Sequence, residues 1–570
     1  MAKQQIQEYL VQSITLSLIL CTAVAGRAQD RSRTLGAEVS PPVTPYVFNG
    51  DIRDLPPAPE WHPGDPIHEI PRRHNPRPDK LNLDLIPLGP KLLKQDPLLE
   101  LQDSARASLL DPFFSTPILN FAGQAFAGAS PPDTVGDVGR DYYIQMVNAS
   151  GGARFNVYNK NNGSLAAGPT LLETLGAGGA CASGFGDGIV LYDQLADRWL
   201  MSEFAGSGFH LCVYISQTSN PIVGGWFRYD FSTPNFPDYP KYAVWPDAYY
   251  VSSNENSPAA YALDRTRMLQ GLSATSQRFT APDLPHFGFQ ALTPSDQDGI
   301  LPAPAGSPNY FMRHRDDEAA NPGSNDPIHD FLEIWRFHVD FAVPANSTFT
   351  GPTNIAVSEF DSDLCGFFSF NCFPQPGTGT TLDPLREVVM WRLQYRNFGS
   401  YETLASNLVT DVDGTNHGGI RWFELRKSGA GPWTLYQEGT YAPDVHHRWM
   451  ASLGIDGVGN MAMGYSVSST TVFPSIRYVG RLQNDPLGTM PQGENSLVGG
   501  TGSSSTNRWG DYSALSVDPS DNCTFWYTHE RANGTWSTQI GAFKFAACRP
   551  SLIIGPGVGG PDRVSGYFRQ

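Results

Sequence analysis

The sequence predicts an all-β chain, a six- to eight-bladed β-propeller behind an extended proline-rich N-terminal arm, and three observations predict it. Short runs of β-branched and aromatic residues follow one another from about residue 130 to residue 548, separated by Gly, Pro, Asn and Asp clusters, with no long run of helical period. The composition agrees: 57 Gly, 47 Pro and 12% aromatic residues give many sharp turns around a large apolar interior. Arg-Trp pairs recur at Arg198-Trp199, Arg421-Trp422, Arg448-Trp449 and Arg508-Trp509, a weak and irregular internal repeat.

A chain of 570 residues would hold three or four domains at about 150 residues each, but propellers exceed that size as single domains. At about 40 to 60 residues per blade, the β region accommodates six to eight blades. Two packed sandwiches or a right-handed β-helix are the competing architectures, the latter expected to show a shorter and stricter period.

The chain opens with Lys3, an apolar stretch from Leu10 to Ala25 and small residues at Ala23, Ala25, Gly26 and Ala28. This is the layout of a secretory signal peptide, assigned to residues 1–28, and the stretch is shorter than the roughly 20 residues a membrane span needs. Residues 29–125 form the arm; prolines in LPPAPEWHPGDP and IPRRHNPRPDK exclude continuous helix or central strand, with a short helical stretch expected around Lys91 to Leu110. The propeller is assigned to residues 126–549 and a tail without an apolar anchor to residues 550–570.

Within the β region the strands are legible as RWLMSEF (198–204), HLCVYIS (210–216), WFRYDF (226–231), AYYVSS (248–253), FLEIWRFHVDF (331–341), VVMWRLQYRNF (388–398), IRWFELR (420–426), MAMGYSVSS (461–469), SIRYVGRL (475–482) and TQIGAFKF (538–545). In the fifth, Trp335, Phe337, Val339 and Phe341 fall on one face and Arg336 and His338 on the other, the period of two that a strand requires.

Of seven cysteines, Cys21 lies in the signal segment and six remain. Export to an oxidising compartment allows disulfides, and proximity in the chain favours Cys181 with Cys212, Cys365 with Cys372, and Cys523 with Cys548. Spacing alone does not fix connectivity, and zinc is disfavoured because no tight Cys or His spacing occurs. The formal charge of −17 disfavours nucleic acid as a partner.

Six segments carry a family resemblance: DTVGDVG (133–139), GDGIVLYDQLADRWLMSEF (186–204), FPDYPKYAVWPDAYYVSSN (236–254), RWFELR (421–426), GTYAPDVHHRWMASLGID (439–456) and RWGDYSALSVDPSDNCTFWYTHE (508–530). Together they resemble secreted bacterial β-propeller proteins related to the sialidase and BNR-repeat superfamily. The resemblance implies a propeller outside the cytoplasm and, more coarsely, an extracellular polysaccharide or glycoconjugate as partner. The Asp box of true sialidases is not reproduced: Ser516-Val517-Asp518 leads to Trp526 over a longer span without the Gly.

Propellers gather residues from every blade at one axial mouth. Arginines inside aromatic strands are the candidates for binding an acidic group there: Arg392, Arg421, Arg448, Arg477 and Arg508, whose planar forks suit carboxylate or sulfate. Each could instead stack on its neighbouring aromatic or pair between blades. For proton transfer the candidates are Asp511 and Glu424, with Tyr512 as nucleophile or relay and Asp444 and Tyr441 nearby. Asp511 and Tyr512 directly follow Arg508-Trp509-Gly510, which groups three useful side chains at one strand entrance, unless Asp511 merely caps a turn. His446 and His447 are adjacent and so face opposite ways on a strand.

No metal is required by any motif. Calcium could use the oxygen-rich loops with Asp133 and Asp137, Asp296 and Asp298, or Asp411, Asp413 and Asn416, although none completes an EF-hand. No P-loop, G-x-S-x-G elbow or H-E-x-x-H motif is present. The expectation is a monomeric secreted propeller that cleaves an anionic extracellular glycan by hydrolysis or elimination. The competing reading is a non-catalytic propeller that recognises surface glycans or proteins.

Overall fold

A computed structural model describes residues 36–70, 95–106, 116–206, 208–284, 289, 291–320, 326–366 and 370–549. The signal segment and the C-terminal tail therefore lie outside the described residues. Every run expected to be a strand contributes to one, from Arg198–Ala205 to Trp536–Phe543; in VVMWRLQYRNF only Leu393–Asn397 is paired in this way.

Among the described residues, the propeller strands form seven groups of four, six of them antiparallel meanders of successive strands and the seventh completed by a strand from the N-terminal side. The innermost strands are Val135–Val138, Gly184–Asp193, Asp238–Val244, Thr293–Asp298, Leu393–Asn397, His447–Ile455 and Ala514–Val517, here counted as sheets one to seven. These inner strands touch in order, and the seventh returns to the first, so the sheets close radially into a β-propeller. Sheets four and five are also joined edge to edge, because their inner strands run parallel with Ser295 opposite Leu393.

Closure uses both ends of the domain. Sheet seven consists of Ala514–Val517, Phe525–Ala532 and Trp536–Phe543, and its outer strand is Leu119–Ala125, with Phe121 opposite Ile540. That strand falls inside the segment assigned by sequence to the arm; its Gly and Ala residues gave no strong strand signal, and only pairing to Trp536–Phe543 fixes it.

The arm lies along the rim. Glu38–Val39 pairs with the outer strand of sheet three, and Tyr46–Phe48 with that of sheet two. His68–Glu69 pairs parallel with Ala129–Ser130, and Ile70 donates to the Ser130 carbonyl. Of the stretch expected to be helical, residues 91–94 and 107–110 lie outside the described residues; within the rest, Leu99–Arg106 is helical, preceded by Asp96, whose carboxylate binds Arg421 and Thr440 of sheet five.

The core consists of aromatic faces pressed between neighbouring sheets. Trp199, Trp226, Trp335, Trp422, Trp449 and Trp509 are all essentially buried. On the strand His329–His338, Trp335 and Phe337 are buried while Arg336 and His338 are exposed, as the alternation requires. The Arg-Trp pairs, in contrast, mark no common position: they start a second strand, sit in a third strand, open an inner strand and precede one. Three disulfides join Cys181 to Cys212, Cys365 to Cys372 and Cys523 to Cys548. Among the described residues, no helix is long and apolar enough to cross a membrane.

Candidate active site at the axial mouth

The inner strands share a backbone device at their N-terminal ends. Asp133, Asp187, Tyr239, Met450 and Asp511 have positive φ, at 47°, 52°, 52°, 51° and 58°, on the approach to sheets one, two, three, six and seven. Such conformations are uncommon for residues with a Cβ and cost of order 1–3 kcal/mol each. At Asp187, Tyr239 and Met450 the strand register also shifts, the mark of a bulge that re-aims side chains. The strain is thus repeated around one end of the axis, and it aims three aspartates into a common space.

Those aspartates surround one lysine. Lys241 is fully buried, and its Nζ lies 3.2 Å from the Tyr239 ring centroid and 3.0 Å from that of Tyr512, with no hydrogen-bond acceptor. Burial pulls the Lys241 ammonium well below its ordinary range, and the charges of Asp187, Asp133 and Asp511 oppose that shift. Tyr512 donates its hydroxyl to Asp187 Oδ2 at 2.9 Å, and the same oxygen accepts the Tyr239 N–H at 3.1 Å. The Tyr239 hydroxyl in turn donates to the Asp511 carbonyl at 3.2 Å. Arg508 holds the Asp511 carboxylate through Nη2 and gives Nη1 to the Ile70 carbonyl of the arm at 2.7 Å.

Three carboxyls share one buried space with Lys241 and the Arg508 guanidinium. Burial, reinforced by the charges of Asp187 and Asp511, pushes the Asp133 carboxyl well above the usual carboxylate range. Asp187 is raised by burial as well, while Lys241 and the Tyr512 hydroxyl draw it back. Asp133 lies within hydrogen-bonding reach of Asp187, and Oδ1 of Asp511 is buried without a hydrogen-bond partner. Burial also pushes the Tyr512 phenol well above its ordinary range, which fits a hydroxyl that positions Asp187 and opposes a phenolate nucleophile at neutral pH.

Beneath this cluster lies a second buried network. Gly510 donates its N–H to Glu530, whose carboxyl burial pushes well above the usual carboxylate range, and Trp509 donates to Ser466 Oγ at 2.9 Å. Ser466 then meets His529 Nε2 at 2.6 Å, and burial pushes the imidazole down to about 3. The native state thus holds His529 neutral while the unfolded chain takes a proton below about pH 6.5. His447, at about 4, and His314, at about 4, behave alike. We expect these histidines to lower the unfolding free energy as the pH falls from about 6.5 toward 4, measured by urea denaturation, and His529→Gln to flatten that dependence. An unchanged slope in the variant would contradict the assignment.

Of the sequence-derived candidates, the structure brings Arg508, Asp511 and Tyr512 together at the mouth. It places the others elsewhere. Glu424 stands in the third strand of sheet five, where it accepts from Arg426 Nε at 2.6 Å and Gln437 Nε2 at 2.6 Å. Arg421, in the same strand, is occupied by Asp96, Thr440 and the carbonyls of Ser358 and Glu359. Arg448 is fully buried between Asp444 and Glu494, and Arg477 also binds Glu494. Arg392 is on the axis but committed: it contacts Asp296, approaches Asp298 at 3.5 Å, and reaches Asp137 of sheet one at 3.6 Å. These four arginines each have carboxylate partners, the structural alternative named above.

The loops considered for calcium are likewise engaged. Asp411 accepts the N–H groups of Asp413, Gly414, Asn416 and His417, which is turn chemistry. Asp296 and Asp298 serve Arg392, and Asp137 accepts the Tyr192 N–H at 2.8 Å, whereas Asp133 faces Lys241.

Sequence reasoning missed Asp187, Lys241 and Tyr239, and read Asp133 only as a calcium ligand. A signal was available: DTVGDVG, GDGIVLYD, FPDYPKYAV and RWGDYSAL each set an aspartate beside a Gly, Pro or Thr just ahead of a strand or among its first residues.

No protein-family model matches the chain, and no curated protein matches it. Solved structures similar to it include the WD40 domain of SCAP from fission yeast, at 8% identity over 76% of this chain and 99% of that one, with a TM-score of 0.34. The extracellular domains 1–2 of Drosophila Semaphorin 1b are similar at 9% identity over 76% and 88%, with a TM-score of 0.37. An oligogalacturonate lyase in complex with manganese is similar at 10% identity over 73% and 97%, with a TM-score of 0.28.

Proposed function

We propose that the chain is a secreted propeller that cleaves an anionic extracellular glycan by acid–base chemistry at the axial mouth. The observation that supports this reading is the convergence of two adjacent buried carboxyls, Asp133 and Asp187, with Lys241 and the Arg508–Asp511 pair at one end of the axis. Cleaving a glycosidic bond needs a proton delivered to the leaving oxygen and a base that removes one from water or from a sugar carbon. Asp133 is the acid, its carboxyl raised by burial and by the neighbouring Asp187 charge; it gives its proton to the leaving oxygen, and exchange with solvent returns a proton to it as Asp511 releases the one it has taken. Asp511 is the base, and Tyr512 positions Asp187 through its hydroxyl. Arg508 supplies the cation for the acidic group of the substrate, its Nε being free of a hydrogen-bond partner. Three disulfides and the N-terminal layout support an exported protein.

One observation favours the competing reading of recognition without turnover: Asp133, Asp187 and Lys241 are buried, and the arm's Ile70 already occupies one nitrogen of Arg508. Calorimetric titration with uronate-rich, sialylated and neutral oligosaccharides tests the shared premise. We expect binding of an acidic oligosaccharide that Arg508→Ala weakens by about tenfold or more, the loss of one charge-assisted pair. Equal binding by the folded variant would remove Arg508 from the site.

A further inference from the structure

A second concentration of acid lies at the loop end of sheet four, where no arginine of the axial mouth reaches. Asp316 follows the strand Asn309–Arg315, Glu318 lies in the short helix Asp317–Ala320, and Asp330 is in the strand His329–His338. Their carboxylate oxygens lie within 4.8 Å of one another. Ordinary ion pairing does not explain this grouping. The neighbouring cations are committed elsewhere: Arg313 and Arg315 to Glu333, His329 to Asp326, and Arg421 to Asp96 and Glu438.

Two further side chains point to a ligand. Glu359 is 5% exposed and Asp317 2% exposed, and Asp317 Oδ1 is buried with no hydrogen-bond partner. The Glu359 carboxyl lies within hydrogen-bonding reach of that of Glu318, and neither Glu359 Oε2 nor Glu318 Oε1 meets a donor other than the opposing carboxyl. Leaving these oxygens unmatched in the interior costs about 1–3 kcal/mol each, and more when charged. The remaining acids are fixed in place. Asp316 accepts from the Ala319 N–H at 3.0 Å and from the N–H and Oγ of Ser362 at 2.8 Å each. Asp330 accepts the N–H groups of Asp317 and Phe360 at 2.8 Å each. Asp316 Oδ1 and both oxygens of Asp330 accept one such bond each and retain a second lone pair, whereas Asp316 Oδ2 takes both bonds from Ser362.

We propose that Asp316, Glu318, Asp330 and Glu359 bind a calcium ion. An all-oxygen set of carboxylates on irregular loops suits a hard cation of flexible coordination, and it is a poor octahedral cage for magnesium. Bound there, the ion ties sheet four to the segment that begins at Glu359. That segment runs on to Asp383, whose charge acts on Arg508, and to Glu387, which accepts the Phe289 N–H at 2.6 Å. The cation therefore braces one wall of the axial mouth from outside it.

Calcium titrated calorimetrically into the chelator-stripped full chain tests this, with magnesium as the comparison and thermal denaturation as a second readout. The expected result is one calcium per chain, a higher melting temperature with calcium, and affinity weakened at least about tenfold in Glu318→Gln and in Glu359→Gln. Absence of calcium binding by the wild-type chain overturns the proposal whether or not the variants fold. Unchanged affinity in both folded variants overturns it as well.

Discussion

Replacing Arg392 with methionine should destabilise the protein by about 3–5 kcal/mol, because it leaves buried carboxylates without their cation. Arg392 precedes the inner strand of sheet five, and its guanidinium spans the ring from Asp296 and Asp298 of sheet four to Asp137 of sheet one. All four side chains are nearly inaccessible to water. The Asp carboxylates are tied in turn to neighbouring inner strands: Asp296 accepts the Val244 N–H and Asp137 the Tyr192 N–H, each at 2.8 Å. Removing one charge thus loosens the contact between several sheets at once. Urea denaturation measures the effect, and the loss should shrink as pH falls, since the orphaned carboxyls then take protons. A change below about 1 kcal/mol would show that the axial ion cluster contributes little.

Asp187→Asn should lower turnover of an acidic glycan by about 10²–10⁴-fold while the fold survives, the usual contribution of a positioned acid–base group. Asparagine keeps an oxygen that can accept the Tyr239 N–H and the Tyr512 hydroxyl, so the mouth retains its packing. It removes the negative charge beside Asp133, one of the causes that hold the Asp133 carboxyl above its ordinary range. Tyr512→Phe separates the roles: a relay that only positions Asp187 should cost far less than the loss of Asp187 itself. Near-circular dichroism checks that both variants keep the aromatic core, and initial rates give the comparison.

Strand positions were legible because they depend on local pattern. In FLEIWRFHVDF the alternation named the buried face of Trp335 and Phe337 before any neighbour was known, and close chain spacing led to the three disulfide pairs. The strand Leu119–Ala125 was not legible, since its identity comes from an edge supplied some four hundred residues later in the chain. The mouth was partly legible. Arg508, Asp511 and Tyr512 adjoin in sequence, so a local reading could group them, whereas Asp133, Asp187 and Lys241 meet them only when the ring closes. The other arginines show a related limit. A guanidinium in an aromatic strand has the same sequence appearance whether it awaits a ligand or already holds one, and Asp96, Asp444 and Glu494 are partners that spacing does not reveal.

The most direct test is mass spectrometry of products released from sialylated, uronate-rich and neutral polysaccharides by the purified mature chain, with Asp187→Asn and Arg508→Ala alongside. Acid–base cleavage at the axial mouth predicts shortened or unsaturated products from an acidic substrate with the wild-type chain, and a loss in both folded variants. Binding of that substrate without any product, or equal product from the Asp187→Asn chain, would contradict it.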